Sequence, residues 1–288
     1  MLNSRALFVP GIPSRVHCSR YHHTSYVDRV RSSTEGRENM CTVSQSLTLF
    51  SLDPDFTDDQ ISEVIDSTWS LQYMVRGPIC GSAGPVLMTI VPEDTEQGVV
   101  KECTNCILFR YASQSVMDQF MSHGKTKYML DEISREKTTH GVVSLTFSVK
   151  VPNELEAIFR RGDEWEQGYE LIVGLHSGQN PDDAEEFLDL VCQLALSSAH
   201  GAVQAAHGPV IGTVNHTLHD DTRQVGGFEC DRICTIRFAD DKATLESFLQ
   251  SPPMQAIITG DDRSPVHLNW GLVQHIIPPS DKDQKASM

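Results

Sequence analysis

The feature that most constrains this 288-residue chain is that it aligns with itself. Glu102-Cys103 followed by Arg110-Tyr111-Ala112 returns as Glu229-Cys230 followed by Arg237-Phe238-Ala239, 127 residues later. Upstream, Gly84-Pro85-Val86-Leu87 and Thr89 return as Gly208-Pro209-Val210-Ile211 and Thr213 at an offset of 124, and the apolar stripe Ile61, Val64, Ile65, Leu71 returns as Ala184, Phe187, Leu188, Leu194 at 123. Downstream, Phe120-Met121 matches Phe248-Leu249 at 128, and Gly141-Val142-Val143 matches Gly271-Leu272-Val273 at 130. The offset rises in one direction along the chain, as single-residue loop insertions produce. Chance matches would scatter it.

Each copy predicts the same order of elements. The apolar run 47–52 reads as a strand, Thr57-Asp58-Asp59 as a helix N-cap with acids in the first turn, and a 3.6-residue stripe continues to about Met74. Strands over 86–91 and 103–111 flank the polar segment 92–97, a helix covers 114–132 with a break near Gly124, and 142–149 closes the copy as a strand. Copy two predicts strand 169–175, helix 181–198, strands 209–215 and 229–238, helix 241–259 and strand 271–277. The order βαββαβ is the ferredoxin-like pattern, a four-stranded sheet with both helices on one face. The bare apolar face must be covered, and two such sheets in one chain can close on each other, which also removes the sheet edges. The expected fold is therefore α+β: two tandem ferredoxin-like βαββαβ repeats forming an intramolecular dimeric α+β barrel, a pseudo-dimer within one chain. The expected division is a leader over 1–40, repeats over 41–150 and 169–278, a Glu- and Arg-rich linker over 151–168, and a disordered tail over 279–288.

Charge narrows the partners. The chain carries 39 acidic against 23 basic residues, a formal charge of −16, and phosphate backbones repel such a surface, so nucleic acid is excluded as a partner. No apolar window reaches the length of a membrane helix. The first 40 residues hold six Arg, many Ser, no Lys and few acids, the composition of an organellar transit peptide, which points to a plastid, with a mitochondrion or peroxisome as alternatives. The eight scattered Cys do not form a dense disulfide framework and are read as thiols.

With the repeat order in hand, Phe120-Met121-Ser122-His123 stands out. It is similar to the aromatic-x-x-His-Pro segment of the stress-responsive dimeric α/β-barrel family of plants. The βαββαβ order, the opening apolar strand and the polar stretch before the third strand also resemble that family, specifically its tandem two-domain members with an organellar leader, over about 41–278. The resemblance implies a stress-response protein that binds a small apolar or aromatic ligand in the barrel lumen without a dedicated cofactor, and allows a further homodimer. Some single-domain relatives cyclise polyketides with a strand His and a cavity Tyr. Here Ser46 and Ser51 in copy one, and Tyr169 and Gly174 in copy two, stand where the family's first strand often carries His and Lys, and Ser251 replaces His123 in copy two ahead of Pro252. The alternative is a cofactor-free polyketide cyclase-like or oxygenase-like enzyme of the same fold. A third reading, haem binding, has His123 as its copy-one axial candidate.

Strand alternation places the candidate site residues. In the third strands, Ile107, Phe109 and Tyr111, with Cys234, Ile236 and Phe238 in copy two, form the face toward the helices; Cys106, Leu108 and Arg110, with Thr235 and Arg237, face the lumen. Two arginines facing one cavity can hold a carboxylate or enolate ligand through bidentate hydrogen bonds. The competing assignment pairs them with Glu102 and Glu229 or leaves them at the barrel rim. His123 is a candidate acid or base at the barrel mouth, or a helix cap. Tyr111 is a candidate phenol, or a core ring, because Phe238 at the matching position lacks the hydroxyl. No metal site is expected: Cys103 and Cys106 on one strand would point to opposite faces, and His216, His219 and Asp220 read as a solvated loop. Gly124-Lys125-Thr126 lacks the upstream Gly of a phosphate loop, Ala83 breaks the papain-like start at Cys80, and no Gly-x-Ser-x-Gly elbow occurs.

Overall fold

The first strand, β1, covers Met40–Leu52, and every residue from Val43 onward is buried. Burial on both faces explains why small polar residues interleave with apolar ones: one face looks into a barrel and the other lies beneath helices. Thr57 then caps a helix through a capping box, its hydroxyl accepting from the Gln60 amide while the Gln60 side chain accepts from the Thr57 N–H. Helix α1 (Asp58–Trp69) and the short α2 (Leu71–Met74) lead to β2 (Pro78–Ile90) and β3 (Asn105–Tyr111), followed by α3 (Gln114–Ser122), α4 (Gly124–Glu136) and β4 (Thr138–Pro152). Copy two runs β5 (Gly168–Ser177), α5 (Pro181–Leu196), β6 (Ala202–His216), β7 (Arg232–Phe238), α6 (Lys242–Leu249), α7 (Pro252–Thr259) and β8 (Val266–Ile276). This computed structural model describes residues 40–92, 102–152, 168–178, 180–216, 230–239, 242–261 and 264–276. The leader up to residue 39, the linker over 153–167 and the tail from 277 lie outside the described residues.

Every strand pair is antiparallel, and within each copy the spatial order is fourth, first, third, second. The two sheets join at their edges, β2 to β8 and β4 to β6, and eight strands close in the order β1-β3-β2-β8-β5-β7-β6-β4. The two ferredoxin-like repeats thus form the dimeric α+β barrel within one chain. Antiparallel neighbours all round the ring make β1 and β5, four steps apart, run the same way, so a pseudo-twofold lies along the barrel axis. One apolar cluster, including Leu47, Leu108, Leu145, Ile172, Trp270 and Leu272, fills the lumen; two more lie between the sheets and their helices. Among the described residues no helix is long and apolar enough to cross a membrane.

Several boundaries differ from the sequence expectation. β2 begins at Pro78 rather than 86 and β6 at Ala202 rather than 209, because 78–85 and 202–208 are rich in Gly, Ala, Ser and Pro and lack strand patterning, yet pair with β3 and β7. The helix expected over 241–259 is two helices, α6 and α7, since Pro252 cannot continue the ladder and Ser251 takes extended angles, φ −65° and ψ 145°. His123, at the matching break in copy one, has φ −62° and ψ 133°.

Candidate functional site

The lumen-facing set is read from register. Gln45 lies opposite Arg110, which lies opposite Cys80 on its other side; Glu170 lies opposite Arg237, which lies opposite Gln204. Phe147 adjoins Gln45 and Gln274 adjoins Glu170. Two arcs, Phe147-Gln45-Arg110-Cys80 and Gln274-Glu170-Arg237-Gln204, therefore occupy equivalent positions in the two copies and face each other across the barrel. Phe147 is the apolar exception apart from the Cys80 thiol; the other six are amides or charged groups.

The arcs are tied together by an ion pair. The Arg110 Nη2 donates to Glu170 Oε1, and the Ser82 hydroxyl donates to Glu170 Oε2 at 2.7 Å. Arg110 on β3 and Glu170 on β5 are not on neighbouring strands, so the pair spans the lumen between the copies. Glu170 is fully buried and Arg110 is 2% exposed. Burial by itself pushes the Glu170 carboxyl up, but Arg110, Arg237 and the Ser82 and Arg110 hydrogen bonds outweigh it and hold the group below the usual carboxylate value. For Arg110, burial favours loss of the proton, yet Glu170 and Cys80 raise the net affinity for it. Arg237 goes the other way: burial, with repulsion from Arg110, exceeds the attraction of Glu170 and brings its guanidinium down to about 10. One carboxylate thus serves two guanidiniums. The Cys80 thiol hydrogen-bonds with Arg110 and is attracted to proton loss by both arginines, but burial leaves its net pKa raised.

Gln274 donates through Nε2 to the Cys106 carbonyl at 2.6 Å and has an Oε1 without a hydrogen-bond partner. Gln45 and Gln204, fully buried and 2% exposed, have both amide atoms without one. Sequence reasoning reached Arg110 and Arg237 but missed Glu170 and the glutamines. The available signal was a carboxylate inside the otherwise apolar strand run 169–175, at the register position that carries Gln45 in copy one.

His123 and Tyr111 do not share the lumen. Tyr111 is completely buried on the helix side against Phe120, and its hydroxyl is 2.9 Å from the Ser46 hydroxyl; burial raises the phenol's pKa despite that bond. His123 is exposed on the barrel's outside as the N-cap of α4, where Nδ1 accepts from the Lys125 N–H at 3.2 Å. Of the two positions considered for His123, barrel mouth and helix cap, the structure has the helix cap.

Other expectations shift with the boundaries. Cys103 precedes β3 instead of lying within it, so its thiol reaches the same apolar cluster as Cys106 rather than the opposite face; burial pushes it up to about 12. His216 is the last residue of β6, not a loop residue, 3.2 Å from the Ser144 hydroxyl and 3.5 Å from Asp131. His219, Asp220 and Glu229 lie outside the described residues. Among the described residues no group of three or more His, Cys, Asp or Glu is placed to hold a metal ion. Outside the barrel, a groove of about 420 Å³ opens beside α1, with Ile61, Ile65, Trp69, Ala83 and Pro85 among its lining.

No protein-family model and no curated protein matches the chain. Among solved structures it is similar to an anthrone oxidase-like protein, at 12% identity over 84% of this chain and 94% of that one, with a TM-score of 0.49. It is also similar to a chlorite dismutase-like protein (11%, covering 84% and 97%, TM-score 0.47) and to a monooxygenase-like protein of Fusobacterium nucleatum (8%, covering 83% and 93%, TM-score 0.47). These are likenesses of fold.

Proposed function

We propose that this chain is a ligand-binding barrel of the plant stress-response kind, working in a plastid, which takes one small molecule with apolar or aromatic character into the polar end of its lumen without a dedicated cofactor. One observation carries the reading. The layer of Arg110, Glu170, Arg237 and three glutamines occupies positions where the next layer along four of the same strands carries Leu47, Leu108, Ile172 and Leu272. Charged and amide groups at barrel-core positions lower stability relative to well-packed apolar residues, so their concentration at one level of a mostly apolar lumen supports a binding role. The apolar layers restrict the ligand to a compact one.

Native mass spectrometry of gently purified protein tests this. A chain that retains a small molecule, released by Arg237→Met, supports the reading; a bare chain that also binds no member of a panel of small aromatic acids and neutral analogues sinks it. The leader assignment is tested separately by fusing 1–40 to a fluorescent protein and following its import into isolated plastids.

A cofactor-free oxygenase-like or cyclase-like enzyme is the second reading, favoured by the titratable Glu170 and Cys80 within the lumen layer. Its acid or base comes from that layer, since His123 and Tyr111 lie outside it. Turnover of an anthrone-type substrate that disappears in Glu170→Gln would establish it.

A further inference from the structure

The groove beside α1, on the outside of the barrel, has a counterpart in copy two, and there the chain puts its own cations in the matching place. We infer that the groove is a binding site for a small organic cation, a primary ammonium carried on a compact apolar or aromatic body. The site is separate from the lumen layer and goes beyond the lumen-binding reading.

The repeat shows what the groove lacks. Pro85 lies opposite Asn105 as Pro209 lies opposite Arg232, so Asn105 and Arg232 are equivalent, and so are Ala83 and His207 two residues earlier. On the helices, the offset of 123 matches Ser62 to Glu185 and Asp66 to Asp189. In copy two the Arg232 Nη1 donates to Glu185 Oε2, its Nε donates to the Ser177 hydroxyl at 3.0 Å, and His207 Nε2 lies 3.0 Å from Asp189 Oδ1. Basic side chains from β6 and β7 thus meet carboxylates of α5. Copy one has neither base: Asn105 and Ala83 stand in their places, while carboxylates remain at Asp66 and, one turn before Ser62, at Asp58. Asp66 has interactions of its own, so the ligand's charge is assigned to the Asp58 end of the groove and Asp66 adds only to the negative field.

Shape and hydrogen bonding select the rest of the ligand. The groove encloses about 420 Å³, room for a compact molecule. One wall is a single face of α1, where Asp58, Ile61, Ser62, Ile65 and Trp69 recur at three- and four-residue spacing; Ala83 and Pro85 belong to the strand wall. Asn105 also lines the groove, is only 3% exposed, and its side-chain amide makes no hydrogen bond among the described residues. A buried amide in that state costs stability, and a ligand donor at its Oδ1 recovers part of the cost. By the correspondence with Arg232 and Glu185, Asn105 faces Ser62. The Asn105 Oδ1, the Ser62 hydroxyl and the Asp58 carboxylate give three acceptors, the number that the three N–H donors of a primary ammonium require. Ile61, Ile65, Trp69, Ala83 and Pro85 then cover an apolar body, and two carboxylates turn an anion away.

Titration calorimetry on the full chain with 2-phenylethylamine, ethylamine and 3-phenylpropanoate separates head from body. The expected order has 2-phenylethylamine tightest, with ethylamine, which lacks the apolar body, and 3-phenylpropanoate, which reverses the charge, each weaker by about tenfold or more. Asp58→Asn, at an exposed position, should weaken 2-phenylethylamine by about tenfold. Ser62→Glu combined with Asn105→Arg rebuilds the ion pair of copy two in copy one; it should abolish amine binding without lowering the melting temperature. A second readout is the emission of Trp69, which 2-phenylethylamine should shift in the parent but not in Trp69→Phe, although the heat of binding persists in that variant. The assignment is overturned if 2-phenylethylamine does not bind, if either other probe binds as tightly, or if Asp58→Asn keeps the parent's affinity. Should the double variant fail to fold, Asp58→Asn and the Trp69 signal decide.

Discussion

Glu170 ties the two copies together inside the barrel, because one carboxylate accepts from Arg110 and Ser82 and lies in the field of Arg237. Glu170→Gln leaves buried guanidinium charge with less compensation and should cost about 3–5 kcal/mol, measured by denaturant unfolding. Replacing both partners, Arg110→Leu with Glu170→Leu, should recover most of that loss, since a well-packed apolar pair avoids the desolvation of both ions. The pH dependence follows from the lowered carboxyl. The unfolded chain takes up the proton near 4.5 and the folded one only at lower pH, so the stabilisation is complete above about 4.5 and is lost as the pH falls through the folded value. Urea midpoints of the parent and Glu170→Gln should therefore converge on acidification. Tyr111→Phe loses the bond to Ser46 beneath the helices and should cost about 1–2 kcal/mol without changing lumen binding.

Among the described glycines, the closest backbone approach lies at the β4–β6 seam between the copies. Where β6 passes β4, a Cβ on Gly208 would sit 1.7 Å from the Ser148 carbonyl oxygen. Backbone cannot yield as a side-chain tip can, so Gly208→Ala should destabilise by about 3 kcal/mol or more, whereas Gly212→Ala, whose Cβ would meet only the Thr146 hydroxyl at 3.3 Å, should be mild. Thermal melts of the two variants compare them directly. The same seam carries His216, whose burial lowers its pKa against the opposing pull of Asp131. Its protonation on going below about 6.5 favours the unfolded chain, so stability at this seam falls with acidification, and His216→Gln should remove that part of the slope.

At the scale of the whole molecule, the barrel is two sheets whose edges are closed only by each other. Residues 40–152 and 168–276 made as separate chains should each expose two strand edges and a bare apolar face. They should co-purify as a one-to-one complex when produced together, and either alone should dimerise or aggregate; light scattering after size exclusion distinguishes these. A monomeric, folded half would contradict the architecture. Closure also explains why the ion pair exists at all: Arg110 and Glu170 are 60 residues apart, and no local element brings them together.

Much of this was legible before any coordinates. Self-alignment and period-two alternation settle the βαββαβ repeats, the barrel, and which face of β3 and β7 carries Arg110 and Arg237, because each depends on local spacing and on the need to bury one face of each sheet. Boundaries such as Pro78 and Ala202 were not legible, because pairing with a neighbouring strand imposes strand geometry on residues with little preference for it. Nor was the partner of Arg110. Glu102, eight residues away in sequence, was the nearer choice, but strand alternation and the pseudo-twofold direct the guanidinium across the lumen to a carboxylate in the other copy. Spacing decides which way a side chain points, while only closure of the two copies decides what it meets.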